Sequence, residues 1–189
     1  WTNSLPPTAF VLPPPVLPSF VLKVANGDNM TDLSIYLSCE SDTVTLARQV
    51  AEAARKGDII GLTGNLGAGK TAFARAFIQA RTGIDEVPSP TFTLVQVYDR
   101  DTGSPSIWHM DLYRLEPGAD VEELGIEDAM ADGILLVEWP DRLDSATLEN
   151  WVEITLSLAD DPSARTVSIG AHGDLARAFH GRIAKATAA

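Results

Sequence analysis

The sequence predicts an α/β fold of three layers built around a mixed, mostly parallel sheet. Three observations carry this. Asp58-Ile-Ile-Gly-Leu-Thr63 is an apolar run of buried-strand type that passes through a glycine-rich turn into a helical segment at 71–81. Gly133-Ile-Leu-Leu-Val-Glu138 is a second such run, again next to a helical segment. Alternating stretches separated by turn residues read as hairpins, so the sheet is mixed rather than wholly parallel.

The elements follow in chain order. Half of the twelve prolines lie among the first eighteen residues, which excludes a helix or central strand there. Residues 1–29 read as a proline-rich disordered leader, and 30–189 as a single domain. A signal peptide is rejected: the first cation is Lys23, and prolines interrupt the apolar run. A PxxP ligand at Pro15 to Pro18 is the lesser reading beside a plain extended tail. From Ser41, Val44, Ala47, Val50, Ala51 and Ala54 share a helical face, with Gly57 as its stop. Residues 93–99 and 106–112 form a hairpin around a turn at 100–105. Asp120 and Glu123 resemble a capping box for a helix running to Asp132. Residues 151–158 and 165–171 make a second hairpin. In the last helix, 174–185, Leu175, Ala178, Phe179 and Ile183 recur at helical spacing.

Charge and cysteine usage narrow the function classes. The net charge is −12, from 26 acidic and 14 basic residues, so the surface is a poor grip for phosphate backbones without a partner. Cys39 is the single cysteine, which excludes an intrachain disulfide and a CxxC metal site and suits a reducing compartment, the cytoplasm. No apolar stretch reaches the ~18 residues a membrane-spanning helix needs, so a soluble chain with no membrane partner is expected.

Gly64-Asn-Leu-Gly-Ala-Gly-Lys-Thr71 matches GxxxxGK[ST] at every fixed position, between a strand and a helix. That context lets backbone N–H groups and the helix N-terminus converge on phosphate oxygens, which makes the fold P-loop NTPase-like. Gly67 and Gly69 leave room for a pyrophosphate. The Lys70 ammonium would sit on the β and γ phosphates, and the Thr71 hydroxyl on Mg²⁺. Thr63 and Asn65 read as turn residues without a role.

A P-loop site also requires carboxylates near the ion, commonly where buried strands emerge. Glu138 ends one apolar strand. Asp111 shares a strand face with Ile107 and His109 by the period of two. Position alone does not decide which acid does which job. Val87-Pro-Ser-Pro-Thr-Phe-Thr93 reads first as a proline-rigidified connection and second as a loop sensing the γ-phosphate. His109 reads as a structural histidine before a proton donor, Trp139 as a core anchor before an interface residue. For Arg114, a phosphate contact and ion pairing to Asp120 or Glu122 stand level. His172 and His180 form no metal set with Cys39.

These residues resemble the bacterial TsaE (YjeE) ATPases of tRNA threonylcarbamoyladenosine biosynthesis. The resemblance lies in Leu66-Gly-Ala-Gly-Lys-Thr71, Ser89-Pro-Thr-Phe-Thr-Leu94, His109-Met-Asp-Leu-Tyr-Arg-Leu115, Glu123-Leu-Gly125 and Val137-Glu-Trp-Pro140, in that order, over about residues 40–142. It implies a protein that binds ATP or ADP with Mg²⁺, works with the TsaD and TsaB proteins, and meets tRNA only through that assembly. TsaD would carry the transfer chemistry, while this chain hydrolyses ATP to sustain the cycle. Position by position, the resemblance implies that Leu66, Gly67, Ala68, Gly69, Lys70 and Thr71 bind the nucleotide. Thr71 and Glu138 would ligate Mg²⁺, and Asp111 would be the catalytic acid beside Lys70 and the γ-phosphate. Thr43 matches a position near the base. Asn65 departs from the family pattern, which usually has an acid there, and the leader has no counterpart.

No glutamine or arginine finger is assignable, so hydrolysis is expected to be slow alone and stimulated by the partners. Two other functions compete. A small-molecule kinase needs a lid with several arginines, whereas Arg142, Arg165, Arg177 and Arg182 are scattered. A nucleotide-dependent scaffold would bind without turnover.

Overall fold

The computed structural model describes residues 23–25, 32–99, 103–116, 124–143 and 148–188. The elements are β1 (Lys23–Ala25), β2 (Asp32–Leu37), α1 (Glu40–Ala53), β3 (Ile59–Thr63), α2 (Lys70–Thr82), β4 (Val95–Tyr98), β5 (Ile107–Asp111), α3 (Ile126–Asp132), β6 (Ile134–Glu138), β7 (Trp151–Leu158), β8 (Arg165–His172) and α4 (Asp174–Thr187). The strands form one sheet in the order β1-β2-β8-β7-β3-β6-β5-β4.

The mixed sheet follows from how the strands are connected. β3, β5, β6 and β7 are parallel neighbours, and β3 joins β6 and β7 on either side. Parallel pairing is confined to this central block. Antiparallel pairs add β4 on one flank and β8, β2 and β1 on the other. The central β6, Ile-Leu-Leu-Val-Glu, is buried along its whole length, as a strand covered on both faces must be.

Side-chain alternation sorts the core into two parts. Ile60, Leu62, Ile134, Leu136, Ile107, Val152 and Ile154 point to the face covered by α1, α2 and α4. Ile59, Leu135, Val137 and Met110 point to the other face, under Ile126 and Ala129 of α3. Helices on both faces give the three layers expected. α1 buries Thr43, Leu46, Ala47, Val50 and Ala51, a stripe at helical spacing.

Several expectations shift. α1 ends at Ala53 because Ala54 turns to extended backbone; Gly57 lies three residues later, where its N–H donates to Gly133 O at 2.7 Å. β4 starts at Val95, not 93, because Leu94 takes a left-handed φ of 63°. In α4 the buried stripe is Ala176, Phe179, His180, Ile183 and Thr187, leaving Leu175 76% exposed and Ala178 on the solvent side. β2 was not anticipated, although Leu33, Ile35 and Leu37 alternate inward along it. Lys23–Ala25 fall in the expected leader yet pair with β2 as an edge strand; the rest of 1–29 lies outside the described residues. So does the Asp120–Glu123 capping box, and α3 is described from Ile126. No described helix is long and apolar enough to cross a membrane.

Candidate nucleotide and metal site

The loop between β3 and α2 is held by its backbone. A Cβ on Gly64, at φ 125°, would lie 2.0 Å from the Leu156 carbonyl oxygen, so only glycine lets the loop leave the sheet beside β7. Gly69 caps α2 at φ 108°, a left-handed conformation that favours glycine, and Phe73 N–H donates to its carbonyl at 2.9 Å as the ladder begins. The amides of Lys70, Thr71 and Ala72 precede that first bond and are the ones a helix N-terminus offers to an anion. Arg165 on β8 braces the loop from outside, its Nε donating to Ala68 O at 3.0 Å.

A cleft of about 360 Å³ opens beside the loop, lined among others by Gly67, Lys70, Thr71, Asp111, Glu138 and Trp139. It lies at the carboxyl ends of β3, β5 and β6, where open α/β sheets place ligands. The Thr71 hydroxyl donates to Glu138 Oε2 at 2.8 Å. Glu138 and Asp111 are register partners on neighbouring strands, which sets both carboxylates in one cleft. Asp111 is only 4% exposed. Its Oδ2 accepts from the Thr91 hydroxyl at 2.6 Å and the Ser89 hydroxyl at 3.4 Å, and its Oδ1 from Tyr113 N–H at 3.2 Å.

Lys70 is folded onto its own loop. Its Nζ donates to Gly64 O at 2.7 Å and Asn65 O at 3.0 Å and lies 3.7 Å above the Trp139 ring. Burial pulls its pKa below the usual lysine range, against the opposing pull of the Glu138, Asp111 and Asp141 carboxylates. Trp139 reaches this place because its backbone takes a left-handed φ of 61° immediately after β6, turning the chain into a 3-10 turn at Pro140–Arg142.

A second hollow of about 400 Å³ adjoins the loop on its other side through Gly69 and Ala72. Thr43, Glu40, Ser163 and Arg165 line it, so α1 and the segment before β8 form one wall beside the phosphate loop. A larger hollow, about 540 Å³, lies toward the far ends of α1 and α2, lined by Arg48, Gln79 and Gly83, and shares no residue with the site.

The expected residues therefore divide. Gly67, Gly69, Lys70, Thr71, Asp111 and Glu138 share the cleft. Leu66 lines its rim, 73% exposed. Ala68 is fully buried, its N–H spent on Asn65 O at 3.1 Å. Thr43 lies in the adjoining hollow, not in the cleft. Trp139 packs against the second part of the core and lies half-buried against Lys70, and His109 is buried in the sheet and bonded to Glu138. In the segment 87–93, the hydroxyls of Ser89 and Thr91 are tied to Asp111. Arg114 stacks 4.4 Å over the Phe92 ring, while Asp120 and Glu122 lie outside the described residues. Arg165 and Ser163 carried no sequence signal, because the loop before β8 meets α1 only through long-range strand pairing.

The donor set bears on the ion. Thr71 and Glu138 offer hard oxygen ligands next to the phosphate loop, and among the described residues no cluster of three or more His, Cys, Asp or Glu forms a cage. One carboxylate and a hydroxyl beside a phosphate cradle is how Mg²⁺ is usually held, with phosphate oxygens and water completing the shell. The residues present fit that ion.

Comparison with known proteins gives the same direction. Residues 37–167 match the family model of "Threonylcarbamoyl adenosine biosynthesis protein TsaE". A Rickettsia felis protein named tRNA threonylcarbamoyladenosine biosynthesis protein TsaE is 36% identical over 128 residues, 67% of this chain and 74% of that one. Its namesake from Aquifex aeolicus is 41% identical over 110 residues, 57% of this chain and 77% of the other. The crystal structure of Bacillus subtilis YdiB superposes with a TM-score of 0.68 at 25% identity, covering 84% of this chain and 98% of that one. With the family model spanning well over half of its length, the chain belongs to the TsaE family of threonylcarbamoyl adenosine biosynthesis proteins.

Proposed function

We propose that this protein is a Mg²⁺-dependent ATPase that supports tRNA threonylcarbamoyladenosine formation together with TsaD and TsaB. The observation that carries the reading is the Thr71–Glu138 hydrogen bond in the same cleft as Lys70 and Asp111. The loop amides and Lys70 take the phosphates, for which Lys70 exchanges its hold on Gly64 O and Asn65 O for phosphate oxygens. Thr71 and Glu138 hold the ion, which when bound offsets the charge on the β and γ phosphates. Asp111, fixed by Thr91 and Tyr113, orients the attacking water and accepts its proton as the water oxygen bonds to the γ-phosphorus and the bond to the departing ADP oxygen breaks. The nucleoside lies toward the hollow of Thr43 and Arg165.

Two features support a partner-dependent cycle. Leu66 and Tyr113 at the cleft and Phe92 beside it are exposed by 73%, 43% and 82%. The net charge of −12 favours a basic protein face over tRNA itself. The test is in-vitro tRNA modification by TsaD and TsaB with this chain, its Lys70→Ala form, and a non-hydrolysable ATP analogue, with phosphate release followed in parallel. Stimulated phosphate release and multiple rounds of modification are expected only with the parent chain and ATP. Transfer of label to a small molecule would instead mark a kinase, and full support by the analogue a scaffold.

A further inference from the structure

His109 is fully buried on β5, two residues before Asp111. Its Nε2 lies 3.0 Å from Glu138 Oε1, while Thr71 holds the other carboxylate oxygen. Its Nδ1 is buried and, among the described residues, has no hydrogen-bond partner. An ionised carboxylate only accepts, so the proton of the pair sits on Nε2 and the ring's lone pair on Nδ1. The ring is thus a one-sided donor aimed at the acid. The register explains the reach: Glu138 pairs with Asp111, so His109 meets it on the diagonal of one sheet face.

We propose that His109 is a positioning residue for the ion, acting through Glu138. This role rests on the nucleotide-binding function proposed above. A glutamate side chain at a strand end has rotamers that carry its oxygens away from Thr71. With Oε1 tied to a ring locked in the sheet, Oε2 is left facing the Thr71 hydroxyl, and the two oxygens converge before any ion arrives. Removing the Nε2 donor leaves Oε1 buried and unpaired. The carboxylate then relieves the loss by rotating away from Thr71, which costs ion affinity. Binding of the phosphates to the loop amides and Lys70 does not pass through His109 and is unaffected.

The test separates the two nitrogens. Gln places its side-chain amide near the position of imidazole Nε2, and Asn near that of Nδ1. Affinity for a non-hydrolysable ATP analogue is measured by calorimetry in EDTA and in excess MgCl₂, for the parent, His109→Gln and His109→Asn. Affinity in EDTA is expected to stay within about twofold in all three. The gain on adding MgCl₂ is expected to be retained within about threefold in the Gln form and to fall about tenfold or more in the Asn form. An Asn form that keeps the gain, Gln and Asn forms that lose it equally, or a loss that includes EDTA overturns the proposal. A ¹⁵N spectrum of the parent gives a check independent of variant folding: a protonated Nε2 is expected, and a protonated Nδ1 overturns it. A parent that takes up no nucleotide in either condition sinks the P-loop reading itself, whereas parent uptake with a magnesium gain leaves only the variants to decide His109.

Discussion

Thr71, in the first turn of α2, donates its hydroxyl to Glu138 at the tip of β6 across 2.8 Å, so a helix N-terminus and a strand end meet at one pair of oxygens. The bond orients the hydroxyl proton toward the acid and leaves the Thr71 oxygen lone pairs for an ion. It also means that Glu138 carries its charge next to the place where phosphate charge would enter.

Glu138→Gln therefore has two opposed effects. Removing a negative charge beside the phosphates is expected to keep or raise nucleotide affinity in EDTA. Losing the charged ion ligand is expected to lower ATP turnover by about a hundredfold or more. Calorimetry and phosphate release measure the two separately. Parent-like turnover in the Gln form would remove Glu138 from the ion site.

Lys70→Ala tests the cradle without involving the ion. Charge-assisted hydrogen bonds contribute about 1.5–3 kcal/mol each, so losing one lowers nucleotide affinity by roughly 10-fold to 150-fold. Folding stability is expected to hold within about 1 kcal/mol, because the buried ammonium is bonded to carbonyl oxygens rather than to a carboxylate it would leave unpaired. Equilibrium denaturation checks stability, and calorimetry checks affinity. Unchanged affinity in a folded variant would refute the assignment of the loop.

Local patterns were legible in the sequence, and contacts made by register were not. The glycine-rich loop between β3 and α2 could be read because its conformation is set by residues adjacent in the chain. Glu138 could be placed because four apolar residues precede it on one strand. The role of His109 depends on β5 lying parallel to β6 with Asp111 opposite Glu138, which no spacing within either strand encodes. Arg165 reaches Ala68 across 97 positions for the same reason. β2 carried a readable alternation at Leu33, Ile35 and Leu37 but is short and adjoins the proline-rich leader. In α4, Leu175 fits helical spacing with Phe179, yet the stripe that meets the sheet begins at Ala176.

Cys39 supplies a pH prediction. It precedes α1, and the Ser41 hydroxyl lies 3.0 Å from its sulfur. That hydrogen bond foremost, with the Asp42 amide and the Ser38 hydroxyl, stabilises the thiolate and lowers the thiol pKa below its usual range. A lowered pKa puts thiolate in solution at lower pH, so alkylation by iodoacetamide is expected to rise earlier on the pH axis than for a free thiol. Ser41→Ala moves the profile back toward higher pH. Glu40, the next residue, lines the hollow beside Gly69, so saturating ATP is expected to slow labelling. Identical profiles for parent and Ser41→Ala would show that the hydroxyl does not act on the sulfur.

The last prediction concerns α4, which lies wholly beyond the stretch matched by the family model. Arg182 on α4 ties the helix to the turn between α1 and β3. Its Nε donates to Ala53 O at 2.9 Å and its Nη2 pairs with Asp58, which also accepts from Arg55 N–H at 2.6 Å. The side chains of Arg182 and Asp58 are 24% and 15% exposed, between a surface pair of about 0–1 kcal/mol and a buried one whose rupture costs about 3–5 kcal/mol. Arg182→Ala is expected to destabilise the fold by about 2 kcal/mol. Arg182→Lys recovers only part, since one ammonium does not reproduce the two-pronged geometry of the guanidinium. Nucleotide affinity stays within about twofold, because the turn before β3 lies at the opposite end of that strand from the loop. Urea denaturation of the three forms measures the loss, and a Lys form as stable as the parent would reduce the contact to simple charge attraction.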